Sequence, residues 1–142
     1  MRTFDMDRFH MGRLEPGSDL LGGIEDFLND RGIRSGYFWV LGAVRKGAVG
    51  YYDQASREYR TIEFDSPMEI VVCHGNISVK LGKSAPHAHI SLSDETGRTF
   101  GGHLQPGNEV FVAELCVAEF TGRPLERETI PDLGLELWPT GQ

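Results

Sequence analysis

Apolar residues recur in short runs along most of this chain, and most of these runs have the two-residue period of β-strands. Turn-forming residues such as Asp65-Ser66-Pro67 and Gly75-Asn76 separate the runs. Because the connections are short, the pattern favours antiparallel pairing. The predicted strands cover residues 4–11, 36–44, 48–53, 58–64, 68–73, 77–80, 109–120 and 135–138.

One segment has a helical period instead. Its apolar positions are Leu20, Leu21, Ile24, Phe27 and Leu28. Ser18 is the predicted N-cap, and Gly32 is placed to end the helix. The sequence therefore predicts an α/β (α+β) protein, with a mostly antiparallel β-sheet and one main helix, folded as a single domain over residues 1–142.

Composition agrees with a globular, turn-rich protein. The chain has 142 residues, of which 39% are hydrophobic and 18 are glycine, enough for a sizeable core. No apolar run approaches the length of a membrane span, and residues 1–11 lack a signal pattern. We therefore expect a cytoplasmic protein without membrane contact. Cys73 and Cys116 lie in separate apolar runs and are interpreted as free thiols.

The charge of the chain bears on possible partners. Its 14 basic and 21 acidic residues give a formal net charge of −7. The basic residues are scattered, whereas nucleic-acid-binding proteins usually carry a basic stripe that neutralises phosphates. Direct DNA binding is therefore doubtful on physical grounds.

Three of the five histidines lie within seventeen residues. His87 and His89 form a His-x-His pair in a β-patterned run, so both rings should lie on one face with their Cα atoms roughly 6.5–7 Å apart. His103 follows Gly101-Gly102. Together the three imidazoles predict a facial site for zinc or another divalent metal ion, with positions left open.

The residues between these histidines predict a β-hairpin. Ile90 and Leu92 alternate with serines, and Asp94-Glu95-Thr96-Gly97 is a turn signal. If His103 returns opposite His89, the two rings share a face. A one-residue slip would reverse this, unless a bulge at Gly101-Gly102 absorbed it. The alternative is two exposed strand histidines with an unrelated third.

Other polar residues are weaker candidates. Glu114 lies in an apolar run and is a candidate catalytic base or a group that orients a metal-bound imidazole; the alternative is an outward-facing residue. Arg98 is a candidate for binding an anionic ligand or for capping the hairpin. His74 is a possible neighbour of the metal site or a turn-edge histidine, and Asn76 is expected to supply turn geometry.

Three segments together resemble a known family. They are residues 69–78, residues 86–94 with Pro86-His87-Ala88-His89, and residues 97–104 with Gly101-Gly102-His103. In this order they resemble the plants-and-prokaryotes-conserved domain, the PPC domain. The resemblance covers nearly the whole chain. It implies a mixed, mainly antiparallel fold that assembles as a homotrimer, similar in fold to acetolactate decarboxylase, which holds zinc with a His-x-His pair and a third histidine.

The resemblance also bears on function. Plant members bind DNA through an added AT-hook, whereas prokaryotic members stand alone, keep the three histidines and are often labelled predicted DNA-binding proteins. Thr121-Gly122-Arg123-Pro124 lacks the basic residue that would precede an AT-hook core. Two hypotheses follow. One is a metal-binding regulatory or ligand-sensing trimer with a small-molecule ligand, and the other is a zinc-dependent lyase or hydrolase.

Overall fold

The computed structural model describes residues 1–140, and antiparallel β-pairing accounts for most of its structure. Within these residues no helix is long and apolar enough to cross a membrane. The predicted fold class, a mostly antiparallel sheet with one main helix, is confirmed. In chain order the elements are β1 (Met6–Arg13), α1 (Leu20–Arg31), β2 (Gly36–Asp53), β3 (Glu58–Phe64), β4 (Met68–Lys80), β5 (Lys83–Ser93), β6 (Thr99–Leu104), β7 (Glu109–Phe120), β8 (Glu128–Ile130) and β9 (Leu135–Leu137).

The sheet is organised around the long strand β2. The strand order is β1-β7-β2-β4-β5-β6, with β3 also paired to β2. The first part of β2 pairs with β7 and β4, and its last part pairs with β3 and β6. Because β6 pairs with both β5 and β2, strands β2, β4, β5 and β6 form a closed circuit of neighbours. The hairpin β8–β9 forms a separate two-stranded sheet.

Helix α1 covers one face of this sheet. Leu20, Ile24 and Leu28 are fully buried in the same core as Phe38 and Val40 of β2. Gly32 ends the helix as predicted, in a left-handed conformation with φ 66°.

The predicted N-cap of α1 was wrong by one residue. Asp19, not Ser18, accepts the hydrogen bond from the backbone N–H of Gly22, at 2.9 Å. The other carboxylate oxygen of Asp19 accepts from the backbone N–H of Gly107 at 2.7 Å. A carboxylate can accept both bonds at once, so Asp19 ties the helix start to the loop before β7, whereas the Ser18 hydroxyl donates to the carbonyl of Glu15.

Two predicted chain breaks are absent. Residues 36–53 form one strand with bulges, and Gly75-Asn76 lies inside β4 rather than in a turn. The reason at Gly75 is close packing: a Cβ there would lie 2.1 Å from the carbonyl oxygen of His87 in the neighbouring strand β5. Gly75 therefore allows the histidine-bearing strand β5 to pack closely against β4, and Asn76 is a strand residue.

This packing predicts a strong effect of Gly75→Ala. The added methyl group would meet backbone atoms that cannot rotate away, so we expect a loss of about 2 kcal/mol or more in the free energy of unfolding. Gly12→Ala in β1 is the matched control, because no atom lies within 4 Å of the position that a Cβ would take there. Urea denaturation followed by circular dichroism compares the two. Equal losses would contradict the close-packing explanation.

Candidate metal centre

The register of the β5–β6 hairpin brings the predicted histidines together. His89 is directly opposite His103, and the pairing runs without a shift to Ser93 opposite Thr99. At the turn, the Asp94 carboxylate accepts hydrogen bonds from the backbone N–H groups of Thr96 and Arg98, and Gly97 has φ 81°. No bulge at Gly101-Gly102 is needed. Gly102 instead lets β2 approach, since a Cβ there would lie 2.4 Å from the Gly50 carbonyl oxygen.

The neighbouring strand β4 continues the same face of the sheet. In register, Asn76 lies opposite His87, and His74 lies opposite His89. Directly opposed residues of an antiparallel pair project to the same side. The three histidines of the hairpin therefore lie in one surface with polar neighbours from β4.

The donor atoms of His87, His89 and His103 converge. One nitrogen from each ring lies within 4.8 Å of the others. Ring centroids are 4.9 Å apart for His87 and His103, and 5.8 Å apart for His87 and His89. A tetrahedral zinc ion with bonds of 2.0–2.1 Å needs nitrogens roughly 3.4 Å apart. Small side-chain rotations would supply this spacing, so the donor set fits a divalent ion.

The histidines line a cavity of about 780 Å³. Tyr59 of β3 lies beside them, with its ring centroid 5.1 Å from that of His103. Burial is the main cause that raises the pKa of the Tyr59 hydroxyl. The other walls come from helix α1, the end of β4 with the start of β5, and the segment from Arg127 through β9, namely Glu25, Lys80, Leu81, Lys83, Ser84, Ala85, Pro86, Arg127, Gly134, Leu135, Glu136 and Leu137.

Arg127 brings a positive charge into this cavity. Its segment is held against the end of β4, since the Arg127 backbone N–H donates to the carbonyl of Val79 at 2.7 Å. Its guanidinium donates from Nη2 to the Asn76 side-chain oxygen at 2.7 Å and from Nη1 to the Glu136 backbone carbonyl at 2.9 Å. The guanidinium carbon lies 5.2 Å from the ring centroid of Trp138. Arg127 thus reaches the residue paired with His87.

The environment keeps the imidazoles of His87 and His103 neutral. Burial and, next, the charge of Arg127 lower the pKa of His87 to about 4, with smaller contributions from the other two histidines. Burial also lowers the pKa of His103, followed by the effects of His89 and Arg127. A neutral imidazole has a lone pair for a metal, whereas a protonated one does not. At neutral pH these two rings are therefore ready to ligate.

The weaker sequence candidates lie elsewhere. Glu114 is exposed on β7, paired with Leu41 and Arg13, and does not line the cavity. Arg98 is exposed at the hairpin turn, where its backbone N–H bonds to Asp94 and its side chain stacks on Phe100. These positions correspond to the outward-facing and hairpin-capping alternatives.

His74 is neither a turn residue nor part of the donor set. It is an exposed residue within β4, and its Nδ1 is hydrogen-bonded to the hydroxyl of Tyr37. Within residues 1–140, the histidine group close enough to share one ion contains the other three residues and not His74.

The sequence interpretation did not assign three residues to the site: Asn76, Tyr59 and Arg127. Asn76 would have been found by extending β4 through Gly75, because the hairpin register then places it opposite His87. Arg127 has no such signal. It follows the last long strand in a segment without periodicity and reaches the cavity through long-range contacts only.

Fold and site together define a β-sheet domain with a candidate three-histidine metal centre. Residues 1–121 match the Plants and Prokaryotes Conserved (PCC) domain, and the chain belongs to this family.

Solved structures and curated relatives are similar to the chain. A plant- and prokaryote-conserved (PPC) protein of Pyrococcus horikoshii is 34% identical with a TM-score of 0.93, covering 100% of this chain and 98% of that one. A metal-containing protein of Archaeoglobus fulgidus is 38% identical with a TM-score of 0.89, covering 98% and 99%. The bifunctional protein GlmU of Synechococcus sp. (strain JA-3-3Ab) is 30% identical over 128 residues, which are 88% of this chain and 19% of GlmU. The chain thus spans about a fifth of the length of the curated relatives it matches.

The electrostatics of the site predict the titration of His87. In the metal-free protein its ring protons should report a pKa of about 4 rather than 6.5. Arg127→Gln removes one cause of the shift and should raise this pKa, whereas Arg123→Gln at an exposed position should not. An NMR pH titration measures both.

The same shift has a consequence for stability. The unfolded chain takes up a proton near pH 6.5 that folded His87 accepts only near pH 4. The free energy of unfolding of the metal-free protein should therefore fall as the pH is lowered between these values. A His87 resonance that titrates at the ordinary value would contradict the effects of burial and charge.

Proposed function

We propose that this PCC-domain chain is a metal-binding module in which His87, His89 and His103 hold one divalent ion, with zinc the first choice because imidazole nitrogen suits it. The observation that carries the proposal is the convergence of three ring nitrogens within 4.8 Å. The lowered pKa of His87 supports it, since the ring is neutral at neutral pH. The metal-containing relative from Archaeoglobus fulgidus is consistent with it.

The module is proposed to sense or respond to a small molecule. Three protein ligands leave the fourth position of a four-coordinate ion open. The histidines line a cavity of about 780 Å³, a size typical of small-molecule sites, so a ligand in this cavity would be able to reach the open position. A regulatory or ligand-binding role uses both features without requiring a reaction.

Assembly into a homotrimer is part of the proposal. Helix α1 covers one face of the sheet, and the face that carries the histidines also displays apolar side chains. Met11, Cys116, Trp39, His74 and His89 follow one another in register across five strands of this face. Its large exposed apolar residues include Phe9, Met11, Tyr37, Leu41 and Val72. Such a surface is usually buried against another protein, and we propose two further copies of this chain as that cover.

A metal-dependent lyase or hydrolase is the second candidate function, favoured by the cavity beside the open face of the site. A bound divalent ion would supply Lewis-acid polarisation of a substrate carbonyl. Tyr59 is protonated at neutral pH and stands beside His103, where its hydroxyl is able to donate a hydrogen bond to a substrate oxygen. Product formation from a bound ligand would favour the enzyme, and release of the ligand unchanged would favour the binding module.

Direct duplex binding is not part of the proposal. The net charge of −7 would be multiplied in a trimer, and repulsion from phosphates would slow approach to DNA. The positive charge of Arg127 lies in the cavity and engages Asn76 and Trp138.

The metal proposal predicts a defined stoichiometry. Purified protein dialysed after zinc loading should hold about one ion per chain, and the double variant His87→Ala, His89→Ala should hold almost none, since one imidazole cannot retain the ion. His74→Ala is the matched control, because His74 neighbours His89 on the same face but lies outside the donor set. Elemental analysis measures the content. Full retention in the double variant, or equal loss in the control, would contradict the assigned ligands.

The assembly proposal predicts a mass three times the 15.8 kDa of the chain in light scattering at micromolar concentration. Leu41→Glu places a carboxylate on the apolar face and should shift the mass towards the monomer. Leu81→Glu makes the same change at an exposed leucine beyond the end of β4 and should leave the mass unchanged. A monomeric parent protein would refute the proposed assembly.

A further inference from the structure

Arg127 is a half-buried cation that forms no ion pair within residues 1–140, although the charge of the nearby Glu136 carboxylate acts on it. Among residues 1–140 its hydrogen bonds go to two neutral acceptors, the Asn76 side chain and the Glu136 carbonyl. Its Nε is buried and has no hydrogen-bond acceptor in this part of the chain. The nearby Glu136 carboxylate is occupied by the Lys80 ammonium at 3.3 Å and the Thr129 hydroxyl at 2.9 Å. A desolvated guanidinium in this state favours the arrival of an anion.

The charges on the cavity wall also favour an anionic ligand. Its walls carry three cationic side chains, those of Lys80, Lys83 and Arg127, and two acidic ones, those of Glu25 and Glu136. The cavity wall is thus positive in a chain whose net charge is −7. Because Lys80 is paired with Glu136, Arg127 is the cation beside the histidines that remains available to a single negative charge.

Part of the remaining wall is apolar. Leu81, Pro86, Leu135 and Leu137 line the same cavity. A ligand that fills this space gains from an apolar body, whereas a small hydrophilic anion would leave these side chains facing water.

We propose that the cavity binds a small carboxylate with an apolar body, whose carboxylate is held by Arg127 next to the three-histidine site. A planar carboxylate accepts two parallel N–H bonds from one guanidinium, and its single charge complements that of Arg127. The inference rests on the proposed function in taking the histidine site as the functional centre, and it adds the ligand class and Arg127 as the residue that selects it. Arg127 lies beyond residues 1–121, which the family model matches.

Benzoate and benzamide are suitable probes, because they share an aromatic body and differ in charge. Calorimetric titration of the zinc-loaded full chain should show benzoate binding and much weaker or no binding of benzamide. Acetate keeps the carboxylate without the apolar body and should bind more weakly than benzoate. Absence of benzoate binding up to about 10 mM, or equal affinities for benzoate and either of the other probes, would overturn the proposal.

Variants locate the binding residue. Arg127→Gln should weaken benzoate binding by about tenfold or more, as expected for loss of charge-assisted hydrogen bonds. Arg127→Lys keeps the charge without the planar guanidinium, so its affinity for benzoate should lie between those of the parent protein and Arg127→Gln. Arg123→Gln removes an exposed arginine four residues earlier and should bind like the parent. Unchanged affinity in Arg127→Gln would overturn the assignment. The comparison of benzoate with benzamide uses the parent protein, so it decides the requirement for charge even if a variant does not fold.

Zinc content measured on every sample separates this inference from the proposed function. A parent protein that holds zinc but does not bind benzoate contradicts the inference alone. A parent protein that holds no zinc contradicts the proposed metal function, and the titration with benzoate and the Arg127 variants is then decisive for the carboxylate site by itself.

Discussion

The antiparallel register of β4, β5 and β6 is the constraint on which the rest of the site depends. Side chains alternate along a strand, so a slip of one residue between β5 and β6 would send His103 to the opposite face from His89. Local chemistry at both ends of the hairpin fixes the register. The Asp94 carboxylate holds the turn, and at the other end Gly102 admits β2, whose Gly50 pairs with His103. The backbone thus determines the donor set before any ion is present.

The charge of Arg127 affects the imidazoles, a bound divalent ion and an anionic ligand in different ways. Burial of the His87 and His103 rings and the charge of Arg127 keep these two imidazoles neutral, which metal ligation requires. The same cation repels a divalent ion. An anionic ligand next to both charges would relieve this repulsion, whereas a neutral ligand would not. A metal centre with an arginine beside it is therefore better suited to an anion than either group would be alone.

Local patterns predicted the parts of the structure that local interactions determine. The helix stop at Gly32, the histidine hairpin with its turn, and the bounds of β3 and β7 were predicted correctly from turn chemistry and alternation. The errors arose where contacts with residues distant in sequence were involved. Gly75 looked like a turn residue because its packing against His87 is not visible in sequence. Asp19 replaced Ser18 as the N-cap, and its second oxygen also binds the loop at Gly107. Arg127 could not be predicted, since only the folded chain brings it to Asn76.

The placement of charge also bears on whether this chain is better suited to binding duplex DNA or a small molecule. A duplex-binding surface needs many cations that reach phosphates together, because each neutralised phosphate adds a similar increment of affinity. This chain instead has a net charge of −7, and the cation beside its histidines is half-buried in a cavity. One desolvated arginine contributes little to binding a polyanion, but it discriminates strongly between a charged small molecule and its neutral analogue. The half-buried position of this cation therefore supports the proposed small-molecule site better than a duplex-binding surface.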